Sequence, residues 1–121
     1  MSRSSAGRLN DILVACEAID RHMARGPVDD PLSDGLVFDA VRARLMEIGE
    51  AVKDLPDDVT AAEPEMPWRE IAGMRDRLAH RYFDTSHAIL AATVRNDLPE
   101  LRAAVQRLLG NGAAGVRGGS E

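Results

Sequence analysis

Val37, Val41, Leu45, Ile48, Val52 and Leu55 recur at three- and four-residue intervals, the period that gathers side chains on one face of an α-helix and scatters them across both faces of a strand. This is a helix of about 22 residues, predicted from about Ser33 to Asp54 with Ser33 or Asp34 as its cap and Pro56 as its stop. A chain built round such a stripe must bury it against other helices. The rest of the sequence offers only helices for the purpose, since no alternating strand pattern, internal repeat or sustained heptad occurs.

Leu9, Ile12, Leu13, Cys16, Ile19 and Met23 form a second stripe, predicting a helix from about Arg8 to Ala24 that ends at Gly26-Pro27. PDDVTAAEPEMP reads as a connector leading to a third helix that opens at Trp68, with Pro67 suited to its first turn. That helix is expected to break near Phe83 and Asp84, where Asp84, Thr85 and Ser86 are cap formers for a fourth, SHAILAATVRN. DLPELRAAVQRLLG reads as a fifth, capped by Asp97, lined by Leu101, Val105 and Leu108, and stopped by Gly110; the last two helices are compatible with one kinked rod. The expected fold is an all-α up-and-down bundle of about five helices. It is a single domain over residues 1–109, with 110–121 a mobile Gly-rich tail.

Composition removes several functions. A net charge of -5 opposes non-specific coating of nucleic acid, and aromatics at 3% leave base-stacking platforms largely unavailable. Cys16 stands alone on an apolar stripe, so it reads as a buried thiol rather than half of a disulfide or a metal ligand. The histidines lack i, i+4 spacing to one another, so neither a metal nor a cofactor is expected, and His22 and His87 are assigned no role. No signal core or membrane-length apolar run is present, which predicts a cytoplasmic protein. At 121 residues the chain is short for an enzyme that closes over its own substrate, so association is a natural remedy.

The charge is unevenly distributed. Asp54, Asp57, Asp58, Glu63 and Glu65 make the connector acidic, whereas Arg69, Arg75, Arg77 and Arg81 dominate the segment after it. On a helical wheel Trp68, Ile71, Ala72, Leu78, Ala79, Tyr82 and Phe83 share a face, and Arg75 falls in its middle. A guanidinium cannot shed its proton, so Arg75 there requires an anion, either a carboxylate such as Glu50 or a ligand phosphate. His80 lies about 140° away round the same helix, one turn after Asp76, and the two cationic groups do not converge within one straight helix. Arg75, His80 and Tyr82 form R-x-x-x-x-H-x-Y, a motif too short to carry an assignment by itself. A lone helical histidine is more often a surface or satisfied residue than a catalyst, and Tyr82 on the apolar face is more often a core aromatic.

The order EIGEAVKDLPD, then PEMPWREIAGMRDRLAHRYFD, then RNDLPELRAAVQRLL resembles the HepT toxins of the HEPN superfamily of small helical ribonucleases, over roughly Leu9 to Leu109. The resemblance implies a five-helix bundle that pairs into a homodimer and cuts RNA without a metal. It implies Arg75 and His80 as the catalytic pair; Asp76 departs from the family, which has a polar residue there, often asparagine, and as a carboxylate one turn before His80 it is expected to support the imidazolium form while repelling a nearby RNA phosphate. It also implies a partner, a minimal nucleotidyltransferase antitoxin that attaches AMP to Tyr82. The chemistry is compatible: RNA supplies its own 2′-hydroxyl nucleophile, His80 can move protons near neutral pH, and Arg75 can grip phosphate oxygens. A site assembled across a two-fold axis would reunite groups that diverge on one helix. Two other classes remain open, a non-catalytic module that binds a nucleotide or a nucleotidyltransferase, and a helical dimerisation domain in which Arg75 pairs with Glu50.

Overall fold

The computed structural model describes residues 2–25, 35–79, 90 and 92–120, with the backbone alone described beyond Gly110. Among these residues every regular element is helical: α1 Arg3–Met23, α2 Leu36–Lys53, α3 Asp57–Ala61, α4 Trp68–Ala79, a π-helical turn Thr93–Asp97, and α5 Leu98–Ser120. The all-α bundle expected from the stripes is the one that forms. α2 is its axis, packed against α1 on one side and α4 on the other, while α5 closes against α1.

The core consists of the predicted stripes. Leu9, Ile12, Cys16 and Ile19 of α1 interlock with Val41, Leu45, Ile48 and Val52 of α2, and Leu101, Val105 and Leu108 of α5 complete the layer. Each such side chain removed from water contributes about 1.5–3 kcal/mol, which offsets the entropy of ordering the chain. Cys16 is among the most deeply buried, and burial pushes its thiol up from the ordinary value. His22 accepts a hydrogen bond from Arg44 Nε at 3.3 Å, and desolvation together with the nearby arginines lowers its affinity for a proton.

Several boundaries differ from the sequence reading, each for a local reason. α1 starts five residues before Arg8 because the Ser2 hydroxyl accepts from the Ser5 backbone N–H at 3.1 Å and caps the helix. α2 begins after Gly35, whose φ of 74° needs the left-handed freedom of glycine; Ser33 and Asp34 lie outside the described residues. The connector is not all loop. Pro56, extended, lets Asp57 and Asp58 open the one-turn α3, where acidic side chains suit the positive helix end, and Val59 plugs into the core. The Trp68 indole then donates to the backbone carbonyls of Thr60 and Glu63, both at 3.0 Å, and ties the connector to the start of α4.

The π turn replaces the expected Asp97 cap. Ala92 and Leu98 both have right-handed helical angles, so this stretch enters α5 without leaving helical backbone, in keeping with a single rod. Pro99 explains the widened turn, because a proline lacks the N–H that would bond to the Arg95 carbonyl and its ring would crowd that carbonyl. α5 runs to Ser120 rather than stopping at Gly110. No proline interrupts GNGAAGVRGGS, and glycine weakens a helix without forbidding it. The expected break near Phe83 and most of the predicted fourth helix lie outside the described residues.

Candidate functional site

Arg75 sits where α4 crosses α2. The crossing is close because of Gly49: a Cβ on it would lie 3.0 Å from the Arg75 backbone nitrogen, 3.0 Å from the Ile71 carbonyl oxygen and 3.1 Å from Arg75 Cβ. The backbones therefore meet with no side chain between them. Glu50, the next residue, is carried to the guanidinium, and its Oε2 lies 3.3 Å from Arg75 Nε. On the other side Arg75 Nη1 donates to Asp76 Oδ1 at 3.3 Å.

The wheel placed Arg75 in the middle of a buried face, and the structure corrects this. Leu78 is the buried residue of α4, flanked by partly buried Trp68, Ile71, Ala72 and Met74. Arg75 and Ala79 are exposed. The packing face is rotated toward Ile71, Met74 and Leu78, because Gly49 lets the α2 backbone lie against the Ile71–Arg75 turn and leaves the guanidinium at the rim. The required anion is found in Glu50, yet the pair is open to water, with 46% of the Arg75 side chain and 55% of the Glu50 side chain accessible. Such a pair is held by only about 0.2–1 kcal/mol, so a stronger anion can displace it.

His80 and Tyr82 lie outside the described residues. What the structure does describe is their approach: Arg42 of α2 donates from Nη2 to the carbonyl oxygen of Leu78, two residues before His80. Arg42 thus holds the end of α4 against α2. Sequence reading missed Arg42 and Gly49. A lone glycine inside an apolar helical stripe was the available signal for a close backbone approach, whereas nothing in local spacing marks Arg42.

Between α4 and α5 a hollow of about 190 Å³ is lined by Ile71, Met74, Leu98 and Leu101 together with the charged Glu70, Arg77, Asp97 and Glu100. A shallower groove between α1 and α2 is lined by Arg8, Asp11, Val14, Glu47, Glu50 and Ala51. Glu50 therefore faces both this groove and Arg75. Among the described residues no group of three or more His, Cys, Asp or Glu side chains is placed to hold a metal ion. No helix among them is long and apolar enough to cross a membrane.

Arg75, the helix that carries it and the glycine contact behind it all fall within residues 12–108, which match the model of the ribonuclease HepT-like family. This chain belongs to the HepT-like family. Probable ribonuclease HepT of Thermococcus cleftensis is 40% identical over 108 residues, covering 89% of this chain and 98% of that protein. A provisionally named RNase of Caldanaerobacter subterraneus subsp. tengcongensis is 37% identical over 101 residues, covering 84% and 90% respectively. Another provisionally named RNase, from Methanocaldococcus jannaschii, is 31% identical over 101 residues and covers 84% of each chain. No solved structure matches the chain significantly. HepT-like proteins are ribonucleases of the HEPN type, so the family agrees with the resemblance read from the motifs.

Proposed function

We propose that this HepT-like protein is an endoribonuclease that cuts RNA through attack of the substrate's own 2′-hydroxyl. Arg75 binds the phosphate and stabilises the crowded phosphorane, and His80 moves the proton, with Asp76 supporting. One observation carries the reading. Arg75 is presented at the surface beside exposed carboxylates rather than sealed in the core, and it stands five residues before a histidine in a chain of ribonuclease-like family. A guanidinium in that state can exchange carboxylate for phosphate, with which it makes two parallel hydrogen bonds.

The active unit in this reading is a homodimer in which two copies of α4 line one groove, bringing Arg75 of one protomer toward His80 of its partner. Its control is AMP attached to Tyr82 by a nucleotidyltransferase antitoxin, making the pair a bacterial toxin-antitoxin system in the cytoplasm. The competing reading, a helical module in which Arg75 only ties α4 to α2, draws on the Glu50 contact. The exposure of both partners counts against it, because an accessible ion pair adds little to stability.

The test is cleavage of an RNA oligonucleotide by the wild type and by His80→Ala. Loss of cleavage in the variant, with helical content and mass in solution unchanged, is the expected result. Undiminished cleavage by His80→Ala would remove His80 from the mechanism, and an inactive wild type would remove the function.

A further inference from the structure

The Arg75 guanidinium has three nitrogens, and two of them already face carboxylates: Nε is 3.3 Å from Glu50, and Nη1 is 3.3 Å from Asp76. A two-pronged grip on a phosphate uses two nitrogens. The guanidinium has five N–H donors, so a phosphate can bind without displacing either carboxylate, but it binds a charge that both carboxylates already offset. Asp76 is the chain neighbour of Arg75 and moves with it. Glu50 is different, because it comes from another helix and its position depends on the α2–α4 crossing at Gly49.

We propose that Glu50 is a positioning residue that holds the Arg75 guanidinium in place at the helix crossing and competes with the RNA phosphate for it, thereby setting the affinity for RNA. This rests on the reading of Arg75 as the phosphate-binding group. Two effects follow from the one contact. The carboxylate limits where a long, flexible side chain points before substrate arrives, and its charge opposes the phosphate that comes to the same guanidinium. Because the pair is accessible to water, the competition is modest, so Glu50 tunes binding without blocking it. Glu47, one turn earlier on α2, supplies a control. Its carboxylate is paired 3.0 Å from Arg44, on the same helix, and has no contact with Arg75.

Steady-state RNA cleavage by the wild type, Glu50→Gln and Glu47→Gln, at two salt concentrations, tests the proposal. Glu50→Gln should lower KM about two- to five-fold at low salt with kcat within about two-fold, and the gain should shrink at high salt. Glu47→Gln should leave KM near that of the wild type. A parallel measurement uses a 2′-O-methyl RNA that binds but cannot be cut: Glu50→Gln should tighten its binding in the wild-type background and much less so in Arg75→Ala. An unchanged or raised KM in Glu50→Gln would overturn the proposal, as would an equal fall in Glu47→Gln, which would point to net charge alone. Either result with an active wild type leaves the ribonuclease reading standing. A wild type that neither binds nor cuts RNA ends both.

Discussion

Gly49 and Arg75 meet backbone to backbone, with only 3.0 Å between the place a Gly49 Cβ would occupy and the Arg75 amide nitrogen. Gly49→Ala must shift the two helices by a few tenths of an ångström, since its nearest neighbours are two backbone atoms and Arg75 Cβ, none of which can rotate away. Alanine adds up to about 1 kcal/mol of intrinsic helix stability, whereas overpacking a close contact costs about 1–3 kcal/mol. The expected outcome in urea unfolding is net destabilisation. Gly7→Ala on α1 is the reference, because nothing lies within 4 Å of its would-be Cβ; it should stabilise by about 0.5–1 kcal/mol. Equal effects of the two substitutions would rule out the close approach.

The dimeric site makes a sharper prediction. Arg75→Ala and His80→Ala are each expected to be inactive alone, yet mixing them under conditions that exchange subunits should restore activity. In a mixed dimer one of the two composite sites holds both native residues, so random pairing gives about a quarter of the wild-type sites. Mixtures that stay inactive despite proven exchange would place Arg75 and His80 of a site in the same protomer. Sedimentation of the wild type at micromolar concentration should give the mass of a dimer.

Tyr82 is expected to accept AMP from a partner nucleotidyltransferase. If α4 continues, Tyr82 stands seven residues from Arg75, about 10 Å along the axis on nearly the same face. A phosphate on its oxygen then reaches back toward Arg75 and adds negative charge where the RNA backbone binds. Tyr82→Phe should cut RNA but take up no AMP when incubated with the partner and ATP. Peptide mass mapping decides the matter; equal labelling of both proteins, or labelling without loss of cleavage, would count against it.

Glu63 and Arg107 predict an acid-sensitive link between the connector and α5. Arg107 Nη2 lies 2.6 Å from Glu63 Oε1, and this hydrogen bond, with the attraction of the guanidinium and against a smaller effect of desolvation, lowers the Glu63 carboxyl below its ordinary value of 4.5. A carboxyl lowered by folding contributes stability that is complete above its unfolded value and is lost as pH falls through the folded one. Arg107→Gln should therefore lower stability slightly at neutral pH, where the contribution is complete, and converge with the wild type as pH falls below about 4.5, giving a flatter acid limb in thermal unfolding across pH. An identical acid limb in wild type and variant would exclude the link.

The Gly-rich end of α5 is expected to contribute nothing to the core. Ending the chain after Gly110 should leave the thermal midpoint and RNA cleavage unchanged, and amide exchange in the full chain should be fastest beyond that residue. Slow exchange there, or loss of stability on truncation, would make residues 110–121 part of the domain.

The stripes of α1, α2 and α5, the stop at Pro56, the burial of Cys16 and the Arg75–His80–Tyr82 spacing were all readable from the chain alone. They are local: helical period, caps and breakers act between residues a few positions apart, and a sequence states those separations directly. The motifs round Glu47 and Trp68 were likewise enough to place the chain in its family. The tertiary structure decided the rest. Arg75 was read as central to a buried face because the wheel knows its own helix but not the neighbour's backbone; Gly49 draws α2 against Ile71 and Arg75 and moves the guanidinium to the rim. The contacts of Glu50 with Arg75 and of Arg42 with the Leu78 carbonyl depend on the rotation and register of two helices relative to each other. Periodicity leaves both quantities free, and only the packed core sets them.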